Sequence, residues 1–462
     1  MKSFKIFLKL ILLLTFIPLK SQNNEECLQN LSIFAEYAKV KNYNDAYEPW
    51  LKVRIDCPKL NVAIYSYGER ILKERIKTSS PQEAILVKED LMKLYDEWIL
   101  NFPTKRNIKV VGDILSSKAQ SMLDYKIGEK MEVYKTFNEA YTSDAASFTN
   151  PKELYNYFKT YYELYKDGVH GVTMEKLFTK YEEISEKFEI ESTNLSKKLD
   201  LLIKKQESGS PLNSREIRNK RIYGINSNAI GTFLSNLNAI ISKEATCKNL
   251  VPLYLRTFEE NKTDPVWLKR AASRMDSKEC SDDPFFVTLV EALHGLEPSA
   301  DSAYYLGLLK DKAGNSSEAL TYYEESISLE NDPYRKAKIL YKIAIKLKNA
   351  GKKSSARNYA RKALSFQPSM GRAYLMISNL YASSANDCGD TQFNKRAVYW
   401  LAANMAYKAG EVDASIKKAA LKTARSYEGR APSKTDIFTE GNQGAKIKFD
   451  CWIKSSVNVP EL

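Results

Sequence analysis

Between Ala300 and Pro368 the chain writes one pattern twice, and that repetition constrains its fold more than any other feature. The first copy, Ala300 to Pro333, reads ADSAYYLGLLKDKAGNSSEALTYYEESISLENDP. The second, Ala337 to Pro368, reads AKILYKIAIKLKNAGKKSSARNYARKALSFQP. Laid over each other, Leu306-Gly307 falls on Ile343-Ala344, Gly314 on Gly351 and Ala319 on Ala356. Small residues at fixed places let two helices approach closely, and Gly ends the first helix of each copy. Each copy is a pair of antiparallel helices that cannot bury its apolar face alone, so stacked pairs must supply the core.

The Leu-Gly pair, the central Ala and the terminal Pro resemble the tetratricopeptide repeat. The resemblance implies an all-α fold, a helical-repeat solenoid in which antiparallel helix pairs stack into a superhelix. In that family five positions of each unit tend to line the concave face. Carried onto this chain they select Tyr304 and Lys312 from the first unit and Lys338, Tyr341, Lys348 and Asn349 from the second. Gly371 to Ala382, GRAYLMISNLYA, matches the first helix of a third unit and adds Arg372, Leu375 and Asn379. Such a face is basic with aromatic spots and suits an acidic or extended peptide. A version of the fold that clamps a peptide carboxylate with Lys and Asn has Tyr304 and Leu308 at those places here. Two arrangements fit these residues: a groove open to a partner, or one filled by a neighbouring helix of the chain itself.

Residues 1–21, MKSFKIFLKLILLLTFIPLKS, combine early lysines (Lys2, Lys5, Lys9), an apolar run from Leu10 to Leu19 and Ser21 before a cut ahead of Gln22. This is the pattern of a secretory signal peptide. The run falls well short of the roughly 20 apolar residues a spanning helix needs. Cys27 follows Asn24-Glu25-Glu26, which argues against lipidation, and no later stretch reads as a span. The expected location is therefore the periplasm of the cell envelope.

Six cysteines suit an oxidising space and permit fifteen pairings. In an antiparallel hairpin the start of one helix lies beside the end of the next. Cys27 opens one expected helix and Cys57 closes the following one before Pro58; Cys247 and Cys280 stand in the same relation. Cys388 is left to meet Cys451. Metal binding is disfavoured: there is no Cys-x-x-Cys, and the only histidines are His170 and His294. Both histidines sit at Gly-flanked ends and read as structural.

The expected organisation is a signal peptide (1–21), N-terminal repeat-like helices (22–105), an irregular helical region with a long helical hairpin (106–245), a C-terminal array (246–438) and a short β-hairpin tail (439–462). The N-terminal helices carry fainter repeats, with Ala46 in the place of the central Ala, Pro58 in that of the terminal Pro, and Tyr67-Gly68 opening another unit. The Tyr-rich stretch LYNYFKTYYELYKDG after Asn150-Pro151 reads as helix packing and not as base stacking. From Val172 to Glu207, Leu177, Tyr181, Ile184, Phe188, Leu195, Leu199 and Leu202 keep a three-four spacing. After the break at Ser208-Gly-Ser-Pro211, Ser214 to Ala245 offers a return helix. Burial of this hairpin is the preferred reading and a projecting arm the alternative.

The net charge of +13 includes four lysines of the leader, and the remainder is spread evenly. In an exported chain that favours solubility or acidic partners over nucleic acid. The C-terminal motifs PSMGRAYLMISNLYA, Asn386-Asp-Cys-Gly-Asp390, RAVYWLAANMAYKAG, PSKTDIF and Cys451-Trp452-Ile453 resemble a family of exported tetratricopeptide proteins of Gram-negative bacteria. That resemblance implies a cell-envelope setting and adds no chemistry. No Gly-rich phosphate loop, Gly-x-Ser-x-Gly or His-Glu-x-x-His occurs. The expectation is a non-enzymatic scaffold or assembly factor without a cofactor, binding another envelope protein or a peptide segment in the groove. Cell-wall glycan, stacked on exposed Tyr and Trp, is the second reading.

Overall fold

The computed structural model describes residues 19–168 and 171–462. Most of the expected signal peptide, and His170, lie outside the described residues. The chain divides into two compact units, 1–172 and 173–462. The break does not fall at the expected 105/106 or 245/246. Helices after residue 106 pack with the N-terminal ones, and the long hairpin belongs with the C-terminal array.

The first unit runs α1 (Leu19–Lys39), α2 (Tyr43–Asp56), α3 (Ala63–Thr78), α4 (Pro81–Asn101), α5 (Val111–Tyr125), α6 (Lys130–Asp144) and α7 (Pro151–Lys166). Two-residue strands β1 (Thr104–Lys105) and β2 (Ile108–Lys109) sit between α4 and α5, an element the sequence pattern did not announce. The helices pack as pairs, α1 with α2, α3 with α4 and α5 with α6. Trp50, fully buried, donates its indole N–H to the Ile64 carbonyl at 2.6 Å and anchors the core with Phe34, Tyr65 and Tyr95. The Tyr-rich helix α7 starts where Asn150 accepts from the Lys152 N–H at 3.0 Å. Its aromatics are packing residues: Tyr157 and Tyr161 stack on Tyr134 with centroids 5.7 and 4.8 Å apart.

The second unit begins with α8 (Met174–Glu207) and α9 (Ser214–Ile241). There follow α10 (Cys247–Asn261), α11 (Pro265–Ser277), α12 (Pro284–Leu296), α13 (Ala300–Lys312), α14 (Ser316–Leu329), α15 (Pro333–Asn349) and α16 (Lys353–Phe366). It closes with α17 (Gly371–Ala382), α18 (Gln392–Val412), α19 (Lys417–Glu428), α20 (Lys434–Glu440) and the antiparallel pair β3 (Lys446–Phe449) and β4 (Ser455–Asn458).

The repeats fold as their sequence requires. Gly314 and Gly351 adopt φ of +80° and +74°, which non-glycine residues rarely reach. Each closes its helix in the same way: the Gly314 N–H bonds the Asp311 carbonyl and the Asn315 N–H that of Lys310, as Gly351 and Lys352 bond Lys348 and Leu347. Gly307 is glycine because a Cβ there would lie 2.6 Å from the Tyr323 ring on α14. Ala319 and Ala356 are buried at the same helix crossings.

Three disulfides brace the chain: Cys27–Cys57, Cys247–Cys280 and Cys388–Cys451, separated by 30, 33 and 63 residues. The last ties the turn between α17 and α18 to the β3–β4 connection. Nearby the Arg357 guanidinium donates to the Ile453 carbonyl and lies over the Trp452 ring.

Candidate binding groove

Helix α8 meets residues of α11, α15, α17 and α18 and of the loop after α16. Near its start Glu182 pairs with Arg274 and Arg270 of α11, and Glu186 takes both Arg270 nitrogens at 2.9 and 2.8 Å. One turn later Glu189 meets Lys338 of α15 at 3.3 Å. Then Ser196 accepts from Gln367 at 3.2 Å, and Lys197 lies 3.9 Å from Asp332 and over the Tyr334 ring. Asp200 accepts the backbone N–H of Ser369 at 2.7 Å. Leu199 and Ile203 pack on Val412 of α18 with Tyr374 of α17 beside them, and Glu207 ends the row 3.3 Å from Lys408. The chain's own helix α8 thus lies against these residues of the array, Lys338 among them.

The electrostatics follow from burial. Arg274 is 5 % exposed and is sandwiched over the rings of Phe178 and Tyr181. Burial pushes the Glu182 carboxyl up, with Arg274 and Arg270 pulling the other way. Asp200, 2 % exposed, is also pushed up by burial, opposed by its bonds from Ser369 and Tyr334. Arg270 is pushed up by its bond to Glu186.

Helix α9 crosses back over α8, its Asn238 accepting from the Tyr181 hydroxyl at 2.5 Å and its Glu216 holding Lys205 at 2.8 Å. It also passes the loop after α18 closely: a Cβ on Gly224 would lie 3.1 Å from that of Ala414, and one on Gly231 3.3 Å from that of Ser415. A cavity of about 500 Å³ remains between α8, α9 and the α18–α19 turn, lined by Leu199, Leu212, Ile217, Val412 and Lys417 among others.

The residues selected from the repeat positions do not gather into one site. Tyr304 is a correction: it is 3 % exposed, packed against Tyr305 and Tyr323 at 5.4 and 5.9 Å, and so forms core instead of a groove wall. Burial pushes its phenol far up. Lys312 is held at 2.6 Å by Asp282 and at 2.8 Å by Ser281, fastening the α11–α12 turn. Asn379 accepts from the Tyr427 hydroxyl of α19 at 2.8 Å. Lys348 and Asn349 are exposed at the end of α15. Lys338 faces α8, while half-buried Tyr341 reaches the Arg372 carbonyl at 3.4 Å and Leu375 is half-buried on α17. Sequence reasoning missed Arg270, Arg274, Asp200 and Lys408. The signal was present in the spacing of Glu182, Glu186, Glu189, Asp200 and Glu207, which returns to one helical face beside the apolar stripe.

Among the described residues no group of three His, Cys, Asp or Glu side chains could hold a metal ion, and no helix is long and apolar enough to cross a membrane. No protein-family profile matches the chain. Photosystem I assembly protein Ycf3 of Cyanophora paradoxa is 34% identical over 107 residues, 21% of this chain and 62% of that protein. The chain likewise spans 64% of the Cuscuta gronovii protein of that name. The Prochlorococcus marinus (strain NATL1A) protein of that name is 30% identical over 154 residues, 30% of this chain and 89% of the relative. The repeated helix pairs, closed by Gly314 and Gly351 and seamed by Ala319 and Ala356, decide the family. The chain belongs to the tetratricopeptide-repeat proteins. Solved structures similar to this repeat protein include a tetratricopeptide repeat protein from Parabacteroides merdae ATCC 43184 (11% identity, 68% of this chain, 97% of that one, TM-score 0.24). Yeast Tom70 is another (11% identity, 90% and 99%, TM-score 0.29).

Proposed function

We propose that this repeat protein is a non-enzymatic interaction scaffold or assembly factor of the periplasm, which holds a segment of another cell-envelope protein on the face of its C-terminal array. The observation that carries the reading is that this face already grips an amphipathic helix, α8, through paired charges and a small apolar seal. The name of the Ycf3 relatives, assembly proteins, agrees with it. The exported location rests on the leader-like residues 1–21 and on three disulfides, which persist in oxidising compartments. Docking involves no covalent step. Of the candidates, Lys338, Tyr341, Lys348 and Asn349 are carried by α15 and Arg372, Leu375 and Asn379 by α17, and Lys338 is the one that meets α8.

The test is affinity capture of the tagged chain from cross-linked cells, with mass spectrometry of what co-purifies and fractionation of the envelope. One stoichiometric protein partner in the periplasmic fraction supports the scaffold. Recovery on the cell wall without a protein partner refutes it and favours glycan.

A further inference from the structure

The two halves of the α8–α9 hairpin are held differently. In α8, residues 174–188 carry Leu177, Phe178, Ile184 and Phe188, all at most 3 % exposed, and the Glu182–Arg274 pair. From Glu189 to Glu207 only Leu199, Asp200 and Ile203 are buried. No residue of α9 before Ile230 is buried, and Ile217 and Ile225 are each 58 % exposed. The outer half, residues 189–229, is thus sealed to the array by one small apolar cluster, a row of charges and the close pass of Gly224 by Ala414. The row is weakly held: the Glu189 and Lys338 side chains are 65 % and 40 % exposed, and Lys197 and Asp332 are 50 % and 37 % exposed. Exposed pairs of this kind contribute little to stability. The buried carboxylate Asp200 carries a desolvation cost that its bonds only partly offset.

What this half covers is complementary to a particular ligand. Lys338, the free-standing backbone N–H of Ser369 and Lys408 each receive a carboxylate, from Glu189, Asp200 and Glu207. Those three acids fall eleven and eighteen residues apart, which at about 100° per residue returns them to one stripe. Leu199 and Ile203 lie next to that stripe and meet Tyr374 and Val412.

We propose that the outer half of the α8–α9 hairpin is an internal stand-in for the partner. The partner segment is an amphipathic helix with carboxylates at i, i+11 and i+18 on its docked stripe and apolar residues at i+10 and i+14, and it binds as residues 189–229 swing away. This rests on the scaffold reading and names its ligand class and its regulation. The inner half of the hairpin stays in place as part of the core, so opening does not unfold the array.

The test uses the full chain and a stapled helical peptide copying residues 189–207, followed by fluorescence anisotropy. Three forms are compared: the native protein, Glu189→Lys with Ile203→Ala to loosen the cover, and Gly224→Cys with Ala414→Cys to lock it. The built Cβ separation of 3.1 Å at that pair is a few tenths short of a disulfide span. The loosened form should bind at least about ten-fold tighter than native, because apparent affinity scales with the open fraction. The oxidised locked form should not bind, and a peptide with Ala at the Asp200 position, which cannot accept the Ser369 N–H, should bind the loosened form more weakly. Equal binding by all three forms overturns the proposal, as does none by a loosened form with native circular dichroism. Independently, amide exchange in the native protein should be faster in 189–229 than in 174–188; uniform protection refutes the division. Peptide failure alongside a captured cellular partner removes this inference and leaves the scaffold. Peptide binding with no captured partner keeps the opening of the hairpin and removes the scaffold, and with it the claim that the hairpin stands in for a partner.

Discussion

Glu153, at the start of α7, should make the first unit less stable as pH rises through neutrality. It is 5 % exposed, and burial pushes its carboxyl up to about 7 from the ordinary 4.5. The folded state therefore holds this proton more tightly than the unfolded chain. Its stabilising contribution is full below about pH 4.5 and is lost as pH rises through about 7. A gap of that size corresponds to about 3 kcal/mol between the two limits. The geometry suits the neutral form. Ser116 Oγ lies 2.6 Å from one carboxyl oxygen and also 3.1 Å from the Asp113 carbonyl, and it has one proton to give. A protonated Glu153 can donate to Ser116 and free that proton for Asp113, while Asn150 donates to the other oxygen at 2.9 Å. Glu153→Gln keeps this pattern without the ionisation. It should stabilise α5 and α7 at pH 8.5 by about 1–3 kcal/mol and change little at pH 5. Amide exchange of α5 and α7, corrected for intrinsic rates, reads this directly. Equal pH slopes in the two proteins would refute the reasoning.

Other consequences are simpler to check. Non-reducing peptide mapping should recover the 27–57, 247–280 and 388–451 bridges, and Cys27→Ser with Cys57→Ser should cost about 3–4 kcal/mol in chemical denaturation. Gly371→Ala should destabilise the array by about 1–3 kcal/mol, since a Cβ there would lie 2.5 Å from that of Asp413 and 2.8 Å from the Ala409 carbonyl. An unchanged melting curve would mean that α17 and α18 do not approach so closely. Arg274→Ala should cost about 1–3 kcal/mol by leaving Glu182 with only the longer contact to Arg270, and Glu182→Gln added to it should restore part of the loss.

The repeats were legible because the helix pair is a local object. Gly314, Gly351, Ala319 and Ala356 are each dictated by neighbours within a few dozen residues, and the same holds for the first two disulfides. Helix α8 was legible as a helix with an apolar stripe, and its reach from Met174 to Glu207 departs little from the expected 172–207. What it packs on was not legible. Its bonds span 84 residues to Arg270, 149 to Lys338 and 169 to Ser369, and no local pattern encodes such distances. Tyr304 was misplaced for a related reason. A repeat position fixes the angle of a side chain on its helix, but the glycine at Gly307 brings α14 so close that Tyr323 buries it. The unit boundary at 172/173 was missed because the long hairpin looks like a separate element until its array contacts are known.

The most direct measurement places a photo-cross-linking amino acid at Tyr341, one turn along α15 from Lys338, in the full-length protein, and compares it with the same probe at exposed Ile55 on α2. The account predicts one protein adduct from Tyr341, weakened by Lys338→Glu in the same chain, and none of that mass from Ile55. No protein adduct at Tyr341, or one unaffected by Lys338→Glu, would contradict the claim that this face of the array is where a partner is held.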